Sequence, residues 1–178
     1  MGNFHYPDSA IVPAWRLSPE TGGLGAPAMF GHMPVIVVGA DTAPGRAVVD
    51  ELADPRREIR VFVSDQDDAA AYRERGIKVA LGDVSDESHI EAASGGCFTA
   101  VLVTEAAGDE RERSFAADAQ GVLEAWARAV ANARVRRVIW ISDVEPPPTD
   151  APEVATVSLY DADLAARVAA LDDAQRIS

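Results

Sequence analysis

VIVVGADTAPGRAVVDEL, which runs from Val35 to Leu52, is the stretch that decides the fold of this chain. Its first four residues are all apolar, which is typical of a parallel strand buried on both faces. Gly39 and Gly45 bracket the turn that follows, and apolar side chains then recur at helical spacing. The stretch therefore predicts a strand, a tight glycine turn and a helix, and it raises the question of whether the turn binds phosphate.

The same alternation continues towards the C-terminus. Apolar runs of strand length alternate with segments of helical spacing, which predicts βαβ units, a parallel sheet and helices on both faces. The predicted strands cover residues 35–38, 59–63, 77–81, 99–103 and 138–141, and the predicted helices cover residues 43–53, 67–75, 86–94, roughly 111–133 and 158–174. Ser85 is predicted to cap the third helix, and Phe115 to lie on the apolar stripe of the fourth. The predicted fold class is α/β, a doubly wound parallel sheet of about five strands, with no sixth strand after the last helix and no separate substrate domain.

Residues 1–33 differ from the rest of the chain, because they are rich in proline and glycine and show no helical or strand period. They nevertheless carry large apolar residues, among them Trp15 and Phe30. Two interpretations stay open. The segment is either a flexible or vector-derived leader, or an extended arm that lies on another surface. We therefore divide the chain into an extended N-terminal arm, residues 1–33, and a domain over residues 34–178.

Composition excludes several classes of function. The formal net charge of −13 opposes binding to nucleic acid and to anionic membranes, both of which require clustered basic residues. There is no run of eighteen apolar residues of the kind that spans a bilayer, so no membrane insertion is expected. The chain has one cysteine, Cys97, which favours a reducing, cytoplasmic location. The histidines, His5, His32 and His89, lack metal-ligand spacing, and no metal site is predicted.

Four stretches resemble a known family. They are VIVVGADTAPGR (residues 35–46), LGDVSD (81–86), DAQGVLEAWARA (118–129) and VRRVIWISDV (135–144). In order and spacing they are similar to the atypical or extended short-chain dehydrogenases/reductases, of the NmrA-like and sugar-nucleotide-epimerase sort. The resemblance covers the chain from about Pro34 to Ala174. It implies a Rossmann-like domain of the NAD(P)-binding type.

The resemblance also implies a site for NAD or NADP. Gly39 and Gly45 would shape the loop, Ser64 and Asp65 would face the adenosine ribose, and Asp83 and Val84 would flank the adenine. The full set of cofactor-binding candidates is Gly39, Asp41, Thr42, Gly45, Arg46, Ser64, Asp65, Asp83, Val84 and Thr104. Asp65 follows the glycine loop at about 20 positions, the spacing of the acid that binds a free ribose diol, so NAD is favoured over NADP. Arg46 keeps NADP open, and a domain without a cofactor is a third alternative.

The glycine loop departs from the family pattern. Thr42 stands where a middle glycine lets the backbone approach the pyrophosphate. Its hydroxyl could instead cap the helix and occupy an N–H group that a phosphate needs. Pro44 removes another N–H group, and Asp41 adds a negative charge near the expected phosphates. These departures predict weakened anion binding.

The catalytic pattern also departs. Active relatives have a serine or threonine after the fifth strand, followed by a Tyr-x-x-x-Lys helix. Ser142 and Tyr160 are weak catalytic candidates here, but Leu164 stands where the lysine belongs. The alternative for Tyr160 is an aromatic residue at a helix start, packed on the sheet. No catalytic residue is assigned beyond these two weak candidates.

Three hypotheses about function follow. The first is a non-catalytic or weakly active accessory or regulatory subunit that docks to a protein partner, or to a second copy, through its N-terminal arm with Trp15 and Phe30. The second is an NAD(P)-dependent oxidoreductase or a sugar-nucleotide-epimerase-like enzyme. The third is an NmrA-like redox sensor, which binds a dinucleotide without turnover.

Overall fold

The computed structural model describes residues 33–110 and 113–177. Its sheet has six parallel strands. Their order is β3-β2-β1-β4-β5-β6. The strands are β1 Val35–Val38, β2 Ile59–Val63, β3 Lys78–Leu81, β4 Thr99–Val103, β5 Arg137–Ile141 and β6 Glu153–Val157. This order reverses direction between β1 and β4, which in doubly wound folds is where ligands bind. The predicted fold class is confirmed. Of the predicted arm, only Met33 lies inside the described residues.

Helices cover both faces of the sheet. They are α1 Ala43–Leu52, α2 Gln66–Glu74, α3 Glu87–Ser94, α4 Ala119–Asn132 and α5 Leu164–Asp173, with a short 3-10 helix at Thr104–Gly108. Successive strand residues point to opposite faces, so the core has two halves. Ile36, Phe62 and Trp126 belong to the half under α3 and α4, whereas Val37 and Val168 belong to the half under α1 and α5. Within the described ranges, no helix has the length and apolar character needed to cross a bilayer.

The predicted count of about five strands misses one, β6, which lies between β5 and the last helix in a segment that was predicted as a loop. Strand β6 pairs in parallel with β5, with Arg137 opposite Glu153. Both ends of β6, Glu153 and Val157, are buried, but Val154 and Thr156 between them are exposed. A short edge strand of this kind has no continuous apolar run, and a proline-rich segment precedes it, so its sequence is typical of a loop.

Three further expectations need correction. The third helix is capped by Asp86, whose carboxylate accepts from the His89 amide, and not by Ser85. Helix α4 begins at residue 119 rather than 111, because Asp118 caps it through the amide of Gly121. Phe115 therefore precedes the helix and is 68% exposed. The last helix begins at residue 164 rather than 158.

A buried ion pair fastens the far edge of the sheet. The guanidinium of Arg137 donates two hydrogen bonds, of 2.8 and 2.6 Å, to the Glu153 carboxylate. It also donates to the main-chain carbonyls of Leu171, Asp172 and Ala174 at the end of α5. Burial alone would raise the pKa of Glu153, but the Arg137 contacts outweigh it and the pKa is lowered. The pair therefore holds β5, β6 and α5 together.

Candidate functional site

The carboxyl edge of the sheet opens into a cleft of about 490 Å³ between the glycine loop, the end of β2 and the segment after β4. Its lining residues are Asp41, Thr42, Ala43, Arg46, Ser64, Asp65, Asp68, Glu105, Ala106 and Asp109. The cleft lies beside the point where the strand order reverses, so it is where a doubly wound sheet presents a ligand site.

The two loop glycines are both required by the backbone. Gly39 has a φ of +80°, and a Cβ atom there would lie 2.7 Å from the Cβ of Ala106. A Cβ atom on Gly45 would lie 2.2 Å from the carbonyl oxygen of Gly39, which is far inside contact distance. The loop therefore has the tight turn and the close helix-to-strand packing of a phosphate-binding loop.

Thr42 is the N-cap of α1, as the sequence suggested. Its hydroxyl donates to the Gly39 carbonyl at 2.7 Å and accepts from the Gly45 amide at 3.1 Å. Pro44, inside the first turn, has no N–H group. Two of the groups at a helix start that would face an anion are thus missing or committed to the protein itself.

Asp41 does not point at the first turn of α1. One of its oxygens, Oδ2, accepts from the Ser64 amide at 2.7 Å, from the Ser64 hydroxyl at 2.9 Å and from the Asp65 amide at 3.2 Å. The carboxylate therefore lies at the end of β2, where the adenosine ribose binds in doubly wound folds. The expectation that the Asp41 carboxylate lies beside the phosphates is therefore wrong, because it contacts Ser64 and Asp65 instead.

Arg46 and Asp65 are engaged elsewhere. The Arg46 guanidinium donates to both carboxylate oxygens of Asp68, at 3.1 and 2.6 Å, and the hydrogen bond to Asp68 is the main cause of its raised pKa. Asp65 caps α2 by accepting from the amides of Asp67 and Asp68. Both side chains line the cleft, but each already has a structural partner.

The structure brings together only part of the predicted site. The cleft contains Asp41, Thr42, Arg46, Ser64 and Asp65, and the two loop glycines shape it. Asp83, Val84 and Thr104 do not line it. The cleft also contains acids that the sequence reading missed, Asp68, Glu105 and Asp109.

Asp83, Val84 and Thr104 form internal contacts. The Asp83 carboxylate accepts from the Ser85 amide and hydroxyl and from the Ser114 amide, which ties the loop after β3 to the segment before α4. The buried carbonyl of Val84 accepts from the indole of Trp126 at 2.6 Å. The Thr104 hydroxyl donates to the carbonyl of Ile141 at 3.0 Å.

The missed acids had only weak signals in the sequence. Asp68 lies three positions after Asp65 and so returns to the same side of α2, towards the glycine loop. Glu105 comes directly after a buried strand, at the edge where ligands bind. Asp109 follows the 3-10 helix, whose course the sequence did not predict. Position at the end of a strand was thus a usable signal for Glu105 alone among the three acids.

The catalytic candidates do not assemble into a proton-transfer group. Ser142 is 3% exposed, and its hydroxyl donates to the carbonyl of Val144 and accepts from the Val144 amide. Tyr160 is 89% exposed and precedes α5, so it does not pack on the sheet as the alternative reading expected. Leu164, at the lysine position, is 7% exposed and belongs to the core.

These features define a doubly wound α/β domain with a ligand cleft at the switch point. The model of a family described as NAD(P)H-binding matches residues 39–175. The chain belongs to this NAD(P)H-binding family. The resemblance to NAD(P)-binding reductases and epimerases is confirmed at that level. No curated protein matches the chain.

Solved structures share the fold. The triphenylmethane reductase of Citrobacter sp., complexed with NADP(H), is 19% identical, with a TM-score of 0.51, over 61% of this chain and 37% of that one. An NADPH-dependent quinone oxidoreductase of Escherichia coli, complexed with NADPH, is 22% identical, with a TM-score of 0.50, over 61% and 36%. The chain thus spans little more than a third of these proteins' length. At such identities the likeness concerns the fold alone.

The hydrogen-bond donors at the end of β2 and the nearby cation are already engaged within the protein. A 2′-phosphate needs hydrogen-bond donors or cations at the end of β2. There the amides of Ser64 and Asp65 already donate to Asp41, and Arg46 is paired with Asp68. A ribose with a free 2′-hydroxyl group is compatible with the carboxylate, because a hydroxyl donates and a carboxylate accepts.

Proposed function

We propose that this chain is a non-catalytic member of the NAD(P)H-binding family that acts as an accessory or regulatory module. The observation that supports this proposal is the environment of the two positions that carry out proton transfer in active relatives. Tyr160 is 89% exposed, and Leu164, four residues on, is packed into the core in the place of a lysine.

The physical reason is the state of the tyrosine hydroxyl. A tyrosine transfers a proton near neutral pH only when a neighbouring cation lowers its pKa. The nearest basic residue along α5, Arg167, donates to Asp161 at 2.7 Å and is engaged there. A leucine side chain cannot supply the charge. Tyr160 therefore has the exposure of a surface residue and none of the environment of a general acid.

Turnover measurements test this proposal. We expect the full chain to oxidise NADH and NADPH no faster than the uncatalysed rate when carbonyl or quinone acceptors are supplied. The loss of absorbance of the reduced nicotinamide measures this rate. Tyr160→Phe is the matched variant, since an exposed hydroxyl can be removed without disturbing the core. Turnover by the full chain that falls in Tyr160→Phe would contradict the proposal.

A partner is part of the proposal. The arm of residues 1–33, with Trp15 and Phe30, lies outside the described residues except for Met33. Aromatic side chains of this kind contribute most of the binding energy at many interfaces. We propose that the arm docks to a protein partner or to a second copy of the chain. Removal of residues 1–30 should then abolish co-purification of the partner or shift the oligomeric state, and an unchanged result would remove the arm from the proposal.

An NAD(P)-dependent oxidoreductase or epimerase-like enzyme is the second candidate. It is favoured by the family match over residues 39–175 and by the cleft at the carboxyl edge of the sheet. Titration with NAD, NADH, NADP and NADPH discriminates it. The enzyme requires binding tighter than about 1 mM, roughly −4 kcal/mol. Weaker binding of all four would exclude it.

A redox sensor of the NmrA-like sort is the third candidate. It requires dinucleotide binding without turnover and a partner affinity that changes with the oxidation state of the nucleotide. Thermodynamic linkage makes this coupling reciprocal, so the partner must change the nucleotide affinity by the same factor. Equal partner affinity with and without nucleotide would exclude the sensor and leave the accessory role.

A further inference from the structure

We infer that Asp41 sets the class of nucleotide that the cleft accepts. The carboxylate admits a ribose with a free 2′-hydroxyl group and excludes a 2′-phosphate, so NAD(H) binds in preference to NADP(H). The inference rests on the proposed function only in treating the cleft as a nucleotide site. It concerns binding and does not depend on whether any reaction occurs.

The first argument is the occupation of donors. At the end of β2 the chain offers two amides and a hydroxyl, from Ser64 and Asp65, and all three donate to Oδ2 of Asp41. A phosphate at this place would have to displace a carboxylate that already has three hydrogen bonds. It would also bring two like charges into contact, which is unfavourable in a partly buried site.

The second argument is the acceptor that remains. The other oxygen of Asp41, Oδ1, takes no hydrogen bond from any residue in the described part of the chain, although Asp41 lines the cleft. A carboxylate oxygen accepts and never donates. A ligand group placed against this oxygen must therefore be a donor, as the 2′-hydroxyl of an unmodified ribose is. A 2′-phosphate ester has none.

The third argument is that the basic side chain in the cleft, Arg46, is already paired. Arg46 is the one basic residue among those that line the cleft within the described ranges. Its guanidinium forms a two-pronged pair with Asp68, at 3.1 and 2.6 Å. The two side chains are 49% and 22% exposed, so the pair is defined by its two hydrogen bonds more than by its strength. Arg46 is thus engaged with Asp68 in the free protein, and the acids that line the cleft outnumber it.

The position of the selecting acid differs from the one that sequence spacing suggested. Asp65 has the expected separation from the glycine loop, but its Oδ1 accepts from the amides of Asp67 and Asp68 and so caps α2. Asp41 comes from within the loop and reaches the same place from the other side. The assignment to Asp41 is therefore distinct from the one made to Asp65.

Fluorescence titration of the full chain with NADH and NADPH tests the inference. The variant is Asp41→Asn, whose amide oxygen can accept the same three hydrogen bonds without the charge. We expect the wild type to bind NADH more tightly, and Asp41→Asn to narrow the ratio of the two dissociation constants by about tenfold or more. Asp67→Asn removes one charge from an exposed site on α2 outside the cleft and should leave the ratio unchanged.

A second variant works through a different residue. Asp68→Asn releases Arg46 and should strengthen binding of NADPH relative to NADH, and a melting curve of each variant confirms that it is folded. A ratio that is the same in wild type and Asp41→Asn overturns the inference, as does a wild-type preference for NADPH. Failure of both nucleotides to bind to the wild type and to Thr42→Gly, which reopens the loop, also overturns it. Turnover of NADH would contradict the non-catalytic proposal but leave the ratio unaffected.

Discussion

The amide of Ser64 donates a 2.7 Å hydrogen bond to the carboxylate of Asp41, which lies 23 residues earlier in the chain. The contact joins the glycine loop to the end of β2 across the mouth of the cleft. In doubly wound folds the end of β2 faces the adenosine ribose. Here the protein supplies its own carboxylate to the amides of Ser64 and Asp65 at that place.

The cap of α1 is the first testable contact. Thr42→Ala removes the hydroxyl that accepts from the Gly45 amide, and should lower the free energy of unfolding by about 1 kcal/mol. Thr42→Ser keeps the hydroxyl and should stay close to the wild type. Urea denaturation followed by circular dichroism measures both. A serine variant as unstable as the alanine variant would contradict the capping role.

Two glycines offer a matched comparison. Gly45 and Gly121 each stand third in a helix, and each donates its amide to the capping side chain. A Cβ atom on Gly45 would meet the Gly39 carbonyl at 2.2 Å, whereas one on Gly121 would meet only ordinary contacts at 3.5 Å. Gly45→Ala should lower the free energy of unfolding by about 2 kcal/mol or more. Gly121→Ala should be neutral or stabilise by up to about 1 kcal/mol, since alanine favours helix.

Thermal melting of the two glycine variants is the measurement. Equal melting temperatures would mean that the close approach of α1 to the turn has no energetic weight. In that case the packing assigned to Gly45 would be wrong, even though the helix itself would be unaffected.

The buried ion pair at the far edge gives a larger effect. Arg137→Met leaves the Glu153 carboxylate buried without its partner, and should lower the free energy of unfolding by about 3–5 kcal/mol. The double variant Arg137→Met/Glu153→Leu removes both charges and should recover much of that loss. Guanidinium denaturation measures each.

An exposed pair is the control for that prediction. Arg75 and Asp50 lie 2.7 Å apart, with side chains 42% and 64% exposed. Arg75→Met should change the free energy of unfolding by less than about 1 kcal/mol, because water screens an exposed pair. A loss of unfolding free energy in Arg75→Met as large as that in Arg137→Met would contradict the argument that burial makes the pair of Arg137 and Glu153 more important.

The environment of Asp83 predicts that the stability of the fold depends on pH. Burial tends to raise its pKa, but hydrogen bonds from Ser85 and Ser114 outweigh burial and lower it. Because the folded-state pKa lies below the unfolded value of about 4, the ionised group stabilises the fold above that pH, and the stabilisation is lost as the pH falls through the folded value. Asp83→Asn should therefore be less stable than wild type at neutral pH, by about 1–2 kcal/mol.

Urea unfolding between about pH 3 and pH 7 measures this difference. The gap between wild type and Asp83→Asn should shrink as the pH falls. A gap that stays constant over the range would mean that the carboxylate's charge plays no part. Asp67→Asn, at an exposed position, serves as the comparison for the loss of one acid.

The main elements of the fold could be predicted from the sequence because each carries its own signal. Strands such as Val35–Val38 are continuous apolar runs, and α1 is introduced by a glycine turn. Strand β6 has no such signal, since its buried Glu153 makes sense only opposite Arg137 on β5. Pairing between distant residues supplies that information, and no local window contains it.

The candidate site was predicted in the same uneven way. The role of Thr42 depends on Gly39 and Gly45, which are its neighbours, and it could be anticipated. The direction of Asp41 depends on Ser64, at the end of another strand, and it could not. Tyr160 was expected to pack on the sheet because it was placed at a helix start, but α5 begins only at Leu164.

The hydrogen bonds that fasten the glycine loop also have a consequence for dynamics. Thr42 anchors the loop to its own first residue, and Asp41 anchors it to β2. A loop restrained in this way loses little conformational entropy when a ligand arrives. Hydrogen–deuterium exchange at the Ser64 amide should accordingly be slow in the free protein, and nucleotide binding should add little further protection.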